Sequence, residues 1–165
     1  MLNTRETQPT LIIVRGLPGA GKSTIAEEFG APVREADKFP GLYTYHSDGR
    51  VEFHGMSRIE GEPMIARAHT WCQNQVREDL ARLPPVAVVA NTFTQGWEFA
   101  PYVEIARNAG ARIVVVDVFD SGYSDEELAD RNTHGVPEHV IARMRANWEA
   151  DWRAADPRPP WERGE

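Results

Sequence analysis

Apolar and polar positions follow two rhythms along this chain, and the rhythm switches several times. Thr10-Leu-Ile-Ile-Val14 is a short β-branched run bounded by Pro9 and Gly16. A run apolar on both faces predicts a strand buried in a parallel sheet. Val86-Ala-Val-Val-Ala90 repeats the pattern, as does Ile113-Val-Val-Val116 within Arg112 to Val118, and Pro32 to Ala36 reads as a shorter strand. Between these runs the period lengthens. Lys22 to Phe29 reads as a helix closed by Gly30, and Trp97 to Ala109 as one closed by Gly110. Within Ser57 to Leu83, residues Ile65, Ala68, Cys72, Val76, Leu80 and Leu83 recur at steps of three and four. That spacing predicts an amphipathic helix, which Pro84-Pro85 stops. Ser124-Asp-Glu-Glu127 has the form of a capping box opening a helix through Arg131. Gly135-Val-Pro137 restarts the chain, and Val140, Ile141, Met144, Trp148 and Trp152 mark one face of a last helix.

One segment keeps neither rhythm for long. Tyr43-Thr-Tyr45 and Val51-Glu-Phe53 flank Ser47-Asp-Gly-Arg50, and aromatics around an Asp-Gly turn predict a surface β-hairpin. Elsewhere strands alternate with helices, which predicts an α/β fold with a mostly parallel sheet between helical layers. No internal repeat or linker interrupts the alternation. One domain is therefore expected through about residue 155, followed by a loose tail over Asp156 to Glu165, rich in proline and charge.

Composition narrows the class. The 165 residues are 41% hydrophobic, enough for a core and too apolar for a disordered chain. The longest apolar runs are four or five residues, whereas a membrane helix needs about 20, so no membrane partner is expected. Met1 to Thr10 is polar and lacks the apolar stretch of a secretory signal. Cys72 is the single cysteine and cannot form an internal disulfide, which fits a reducing compartment. Together these features give a cytoplasmic expectation, with no obligate protein partner inferred. The net charge of −7 excludes a generic polyanion binder. A nucleic-acid substrate stays open if basic residues gather locally.

The chemistry is densest at Gly16-Leu-Pro-Gly-Ala-Gly21-Lys22-Ser23, which matches G-x-x-x-x-G-K-[ST] with a strand before it and a helix after it. Glycines let the backbone curl until several N–H groups point at phosphate oxygens, and the helix that follows adds its positive end. Gly16, Pro18, Gly19, Ala20, Gly21, Lys22, Ser23 and Thr24 are the candidate nucleotide contacts. Lys22 is placed to reach the β- and γ-phosphates and the Ser23 hydroxyl to ligate Mg²⁺, so ATP and Mg²⁺ are the expected cofactors.

Four further positions carry candidate chemistry. Asp37 follows the second strand, and the C-terminal ends of parallel strands face the ligand crevice. It reads either as a base for an acceptor hydroxyl or as a turn cap. Asn91-Thr92 follows the third strand, where an acid commonly helps hold Mg²⁺; it is a candidate for substrate contact or for strand-end capping. Arg131, beside Asn132-Thr-His134-Gly, is suited to neutralising charge on a transferring phosphoryl group or to serving the helix end. His69 reads as an acceptor-side contact or as a packed helical histidine. The five histidines and one cysteine show no zinc spacing.

The ordered set resembles one family. Arg15 through Thr24, Ala36-Asp37-Lys-Phe39, Ala68-His-Thr-Trp-Cys72, Asn91-Thr-Phe-Thr94 with Trp97-Glu98 and Pro101-Tyr102, and Arg131-Asn-Thr-His-Gly-Val-Pro137 are similar to the polynucleotide kinase-type P-loop kinases. That group is sometimes described as an AAA-family ATPase domain. The resemblance covers about residues 11–150. It implies sheet order 2-3-1-4, a helical lid, Asp37 as the base that activates the acceptor hydroxyl, and Arg131 as a lid arginine on the ATP phosphates. It implies transfer of the γ-phosphoryl group to a hydroxyl of a nucleic acid or nucleotide, a 5′-hydroxyl first and a hydroxymethylated base of phage DNA second. A small-molecule kinase and a nucleotide-binding ATPase module remain alternatives. The chain departs from the resemblance at Lys38, where some members carry a second acid, and at Asn91, where polynucleotide kinases carry aspartate.

Overall fold

The computed structural model describes residues 7–164; segment 1–6, most of the polar N-terminus, and Glu165 lie outside the described residues. Along the chain come β1 (Thr10–Gly16), α1 (Lys22–Glu27) and β2 (Val33–Arg34), then a short 3₁₀ turn at Ala36–Lys38. Two small hairpins follow, β3 (Tyr43–Tyr45) with β4 (Val51–Phe53) and β5 (Arg58–Ile59) with β6 (Glu62–Pro63). Then come α2 (Met64–Leu80), β7 (Val86–Asn91), α3 (Gly96–Asn108), β8 (Arg112–Phe119), α4 (Asp125–Arg131) and α5 (Glu138–Ala146).

The main sheet has the order β2-β7-β1-β8, and every pairing in it is parallel. Counted by its own four strands this is 2-3-1-4, the order that the resemblance implies. Period-two alternation divides the strands between two layers. Leu11, Ile13, Ala87 and Val89 pack with Ala68, Cys72 and Val76 of α2 and with Phe99, Tyr102 and Ile105 of α3. Ile12, Val14, Val88 and Ala90 face the opposite way, onto Ala26 of α1. The result is the three-layer αβα sandwich expected of strands apolar on both faces.

A third apolar cluster joins Leu17 and Ala20 of the glycine-rich loop to Leu128 of α4 and Ile141 of α5. It seats the α4–α5 pair against that loop. Arg145 of α5 holds α4 through Asp125 at 2.8 Å and also pairs with Asp120. The capping box at the start of α4 forms, with Ser124 N donating to Glu127 Oε2 at 2.8 Å and Glu127 N donating back to Ser124 Oγ at 3.2 Å.

Arg15, next to last in β1, is a fully buried cation. Its guanidinium donates to the carbonyls of Phe93 at 2.7 and 3.1 Å, Thr94 at 3.2 Å and Glu149 at 2.8 Å. It lies 3.9 Å from the Trp148 ring centroid and pairs with Asp117 at 3.3 Å. Burial pushes the guanidinium pKa down, against the opposing field of Asp117. One side chain thus ties the strand that leads into the glycine-rich loop to the turn after β7 and to the chain beyond α5.

Two expected helices are shorter than their apolar patterns. The helix expected from Ser57 begins at Met64, because Glu60 and Gly61 both take positive φ, 53° and 83°, and close a two-residue hairpin turn. The last helix ends at Ala146, and Trp148 and Trp152 pack from irregular chain. Trp148 meets Phe119 at 5.1 Å, and Trp152 stacks on Phe99 at 5.2 Å. In the last stretch Trp161 meets Trp97 edge-on at 5.2 Å.

Candidate active site

The carboxyl ends of β1, β2 and β7 open into a cleft of about 400 Å³ that the α4–α5 connection covers from the other side. Its floor is the glycine-rich loop. Gly19 and Gly21 take φ of 79° and 91°, left-handed values that turn the chain around the cavity. Gly19 is required for a second reason: a Cβ there would sit 2.5 Å from the carbonyl oxygen of Leu128. The loop slides under α4 only because that atom is missing. Ser121 Oγ donates to the Ala20 carbonyl at 2.7 Å and anchors the loop from the β8 side.

Lys22 enters the cleft from the first turn of α1, and its ammonium donates to Leu17 O at 3.0 Å. Burial lowers its pKa to about 8, with the carboxylates of Asp37 and Glu35 opposing the shift. The ammonium therefore sits in a dry site that favours arrival of negative charge. Ser23 and Thr24 line the same wall. The Ser23 hydroxyl donates to Glu35 Oε1, and the second oxygen of Glu35 pairs with Lys38.

Asp37 stands in the 3₁₀ turn after β2 and lines the cleft. Tyr43 OH donates to its Oδ1 at 3.2 Å, and Nε2 of His134 lies 3.5 Å from its Oδ2. The His134 ring stacks on Tyr43 at 4.8 Å and hydrogen-bonds through Nδ1 with Tyr45 OH at 2.8 Å. The surface hairpin and the α4–α5 connection therefore meet over this carboxylate. Gly135 packs against Val51, where a Cβ would come within 3.1 Å. Burial, with the Asp37 carboxylate adding to it, pushes the Tyr43 phenol well above its ordinary pKa, so it remains a donor.

Arg131 lines the cleft at the end of α4. Its Nε donates to Gly19 O at 3.1 Å, and its guanidinium lies 4.0 Å from the Tyr123 ring centroid. Asn132 shapes the following turn: its amide donates to the carbonyls of Leu128, Ala129 and Val136, and its Oδ1 accepts from Val136 N at 2.8 Å. That clamp holds Thr133 and His134 toward the cleft.

Pro18, Gly19, Gly21, Lys22, Ser23, Thr24, Asp37, Thr92 and Arg131 all line this one cavity. Gly16, Ala20, Asn91 and His69 do not. Gly16 lies against Val118, and Ala20 is buried beneath the loop. Asn91 turns away, its Oδ1 accepting from Ala36 N at 3.0 Å and its amide pointing to Cys72 Sγ at 3.9 Å. His69 lies on α2, where burial lowers its pKa against the field of Asp37. The sequence reading missed Glu35, Tyr43 and Tyr45. A carboxylate at a strand end was the available signal for Glu35, whereas nothing local marks the two tyrosines.

Among the described residues no group of three or more His, Cys, Asp or Glu side chains could hold a metal by themselves, and no helix is long and apolar enough to cross a membrane. The Ser23–Glu35 pair supplies a hydroxyl and a carboxylate, the hard oxygen donors that Mg²⁺ takes alongside phosphate oxygens and water.

Residues 11–150 match the AAA domain family. The human NEDD4-binding protein 2 is 28% identical over 141 residues, which cover 84% of this chain and 8% of that protein. The chain therefore spans a small part of the length of this relative. It belongs to the AAA domain family and is a P-loop NTPase module.

Proposed function

We propose that this AAA-domain chain is an ATP-dependent kinase that transfers the γ-phosphoryl group to a hydroxyl of a nucleotide or nucleic acid, in the manner of a polynucleotide 5′-hydroxyl kinase. One observation carries the reading. A carboxylate, Asp37, faces the same cavity as the glycine-rich loop and is oriented by Tyr43 and His134. A module that only binds a nucleotide has no use for a carboxylate so oriented, and one that hydrolyses it would set the same group on water, which the acceptor panel tells apart.

The roles follow from placement. Backbone N–H groups of residues 19–23 and the Lys22 ammonium hold the β- and γ-phosphates. Ser23, with Glu35 beside it, would hold Mg²⁺, which would supply charge neutralisation on those oxygens. Arg131 leaves the Gly19 carbonyl and turns to the phosphates as charge spreads over the transferring oxygens. Asp37 accepts the proton of the acceptor hydroxyl while the hydroxyl oxygen forms a bond to the γ-phosphorus, and the bond from that phosphorus to the ADP oxygen breaks. Positioning and fixed charge do most of the work, since the protein forms no bond to the phosphoryl group.

The acceptor side favours a base-bearing molecule. Tyr43 and His134 stack on each other beside Asp37, and Tyr45 and Phe53 stay open on the hairpin. Exposed aromatics beside a cleft are what nucleobases stack on. The net charge of −7 favours a short end over a long polyanion.

The test separates binding from transfer. Asp37→Asn should bind ATP as the wild type does yet lose transfer to a 5′-hydroxyl oligonucleotide or a nucleoside, whereas Lys22→Ala should lose both. Intact turnover in Asp37→Asn removes the carboxylate from the reaction. Transfer that falls steeply with salt marks a nucleic-acid acceptor, and a shallow dependence marks a small neutral one.

A further inference from the structure

The cleft holds a second carboxylate, Glu35, against the loop hydroxyl. In P-loop NTPases the cation that bridges the phosphates is held by the loop hydroxyl and by an acid on a neighbouring strand. The end of β7 offers none here. Asn91 is neutral, and its Oδ1 is spent on the Ala36 amide at 3.0 Å. On the other flank Asp117 is occupied by Arg15 at 3.3 Å and by the Phe119 amide at 3.0 Å.

Glu35 comes from one strand further out. β2 runs beside β7 with Arg34 opposite Val89, so the next residue emerges next to the end of β7, in front of the loop. Its carboxylate accepts from Ser23 Oγ and is only 11% exposed. Its second oxygen faces Lys38, whose side chain is 56% exposed. A mostly buried carboxylate on the metal-binding hydroxyl, neutralised by a flexible surface cation, is suited to exchanging that cation for another.

We propose that Glu35, rather than a residue at the end of β7, is the acidic residue that holds the nucleotide's divalent cation together with Ser23, and that Lys38 covers it when the cation is absent. The inference rests on nucleotide binding in this cleft and not on the identity of the acceptor. It also gives a reason for the neutral residue at 91: the required charge arrives from β2, so the β7 position is free to tie Ala36 in place.

The test reads metal and nucleotide separately. A fluorescent ATP analogue is titrated in EDTA and in Mg²⁺, and Mn²⁺ bound in the presence of ATP is followed by electron paramagnetic resonance. Glu35→Gln keeps the shape and a hydrogen-bonding group. It should match the wild type in EDTA while its Mn²⁺ affinity drops by about 10- to 100-fold, the range for losing a group that supports a metal. Lys38→Met should move Mn²⁺ affinity the other way, upward, with no effect in EDTA, and it keeps the proposal testable should Glu35→Gln fold poorly. Wild-type Mn²⁺ affinity in Glu35→Gln overturns the proposal, as does unchanged or weaker Mn²⁺ binding in Lys38→Met. Failure of the wild type to bind the analogue in EDTA or Mg²⁺ would instead remove the nucleotide reading and this inference with it.

Discussion

Arg15 offers a direct test of what holds the loop-bearing strand in place. Replacing it with Met removes a fully buried cation together with its bonds to three carbonyls, those of Phe93, Thr94 and Glu149. A buried acceptor left without a donor costs about 1–3 kcal/mol, and the new thioether recovers part of that through apolar burial. Stacking on Trp148 at 3.9 Å is also lost. Three orphaned carbonyls, less what the thioether recovers, give about 3–5 kcal/mol as the expectation for Arg15→Met. Domains of this kind are stable by about 5–15 kcal/mol, so a large share of the total is at stake. With a urea slope of about 2 kcal/mol per M, the midpoint should fall by about 2 M. The control is Asp117→Asn. Its carboxylate is 33% exposed, so the pair should contribute no more than about 1 kcal/mol. Arg15→Lys keeps the charge but cannot serve three carbonyls, and should recover less than half of the loss. A midpoint for Arg15→Met within about 0.5 M of wild type would refute the argument that these carbonyls depend on the guanidinium.

Further consequences are testable in the same protein. Burial holds Lys22 near pKa 8, below its ordinary 10.5, so the free fold loses this proton as pH rises through 8, whereas phosphate favours the charged form. ATP binding at pH 8 to 9 should therefore take up protons, about half of one at pH 8, and affinity should weaken about tenfold from pH 7 to 9. Calorimetry in two buffers of different ionisation enthalpy reads the uptake, and Lys22→Arg, which stays charged across this range, should show none; equal uptake in that variant would assign it elsewhere. The same shift makes the unfolded chain bind more protons than the fold between pH 8 and 10.5, so Lys22 makes the free protein more stable as pH rises across that window. Gly19→Ala should lift α4 off the loop, since its Cβ would meet Leu128 O at 2.5 Å, and a rise in the dissociation constant for ATP checks this. His134→Ala should lower kcat by about tenfold to a hundredfold through loss of Asp37 orientation while ATP affinity is kept; an unchanged kcat would make the histidine a packing residue only.

The sheet was legible because its strands are buried on both faces. Leu11 to Val14 and Val86 to Ala90 have no polar position to confuse with a helix stripe. The glycine-rich loop was legible because its parts are contiguous and its strand and helix are local. What stayed hidden was contact between distant segments. Ser23 and Glu35 look unrelated until β2 lies against β7. Tyr45 and His134 stand 89 positions apart and meet only because the hairpin folds onto the α4–α5 connection. Periodicity misled where local stops outweighed it. Ile59 stands outside the helix to which Ile65 and Ala68 belong, because the Glu60-Gly61 turn and Pro63 hold the helix start to Met64. Trp148 and Trp152 continue a helical spacing, yet each is drawn off by an aromatic partner. In the sequence Arg15 is only the residue between the Thr10–Val14 run and the glycine-rich loop, and the fold alone gives it carbonyl partners from the turn after β7 and the chain beyond α5.

The most direct measurement is transfer from γ-labelled ATP with Mg²⁺ to a panel of 5′-hydroxyl DNA and RNA oligonucleotides, hydroxymethylated-base DNA, nucleosides and simple sugars, with Lys22→Ala as the blank. The account predicts label on a hydroxyl of a nucleotide or oligonucleotide and none with Lys22→Ala. ATP bound normally with no label on any nucleic-acid or nucleoside acceptor would contradict it.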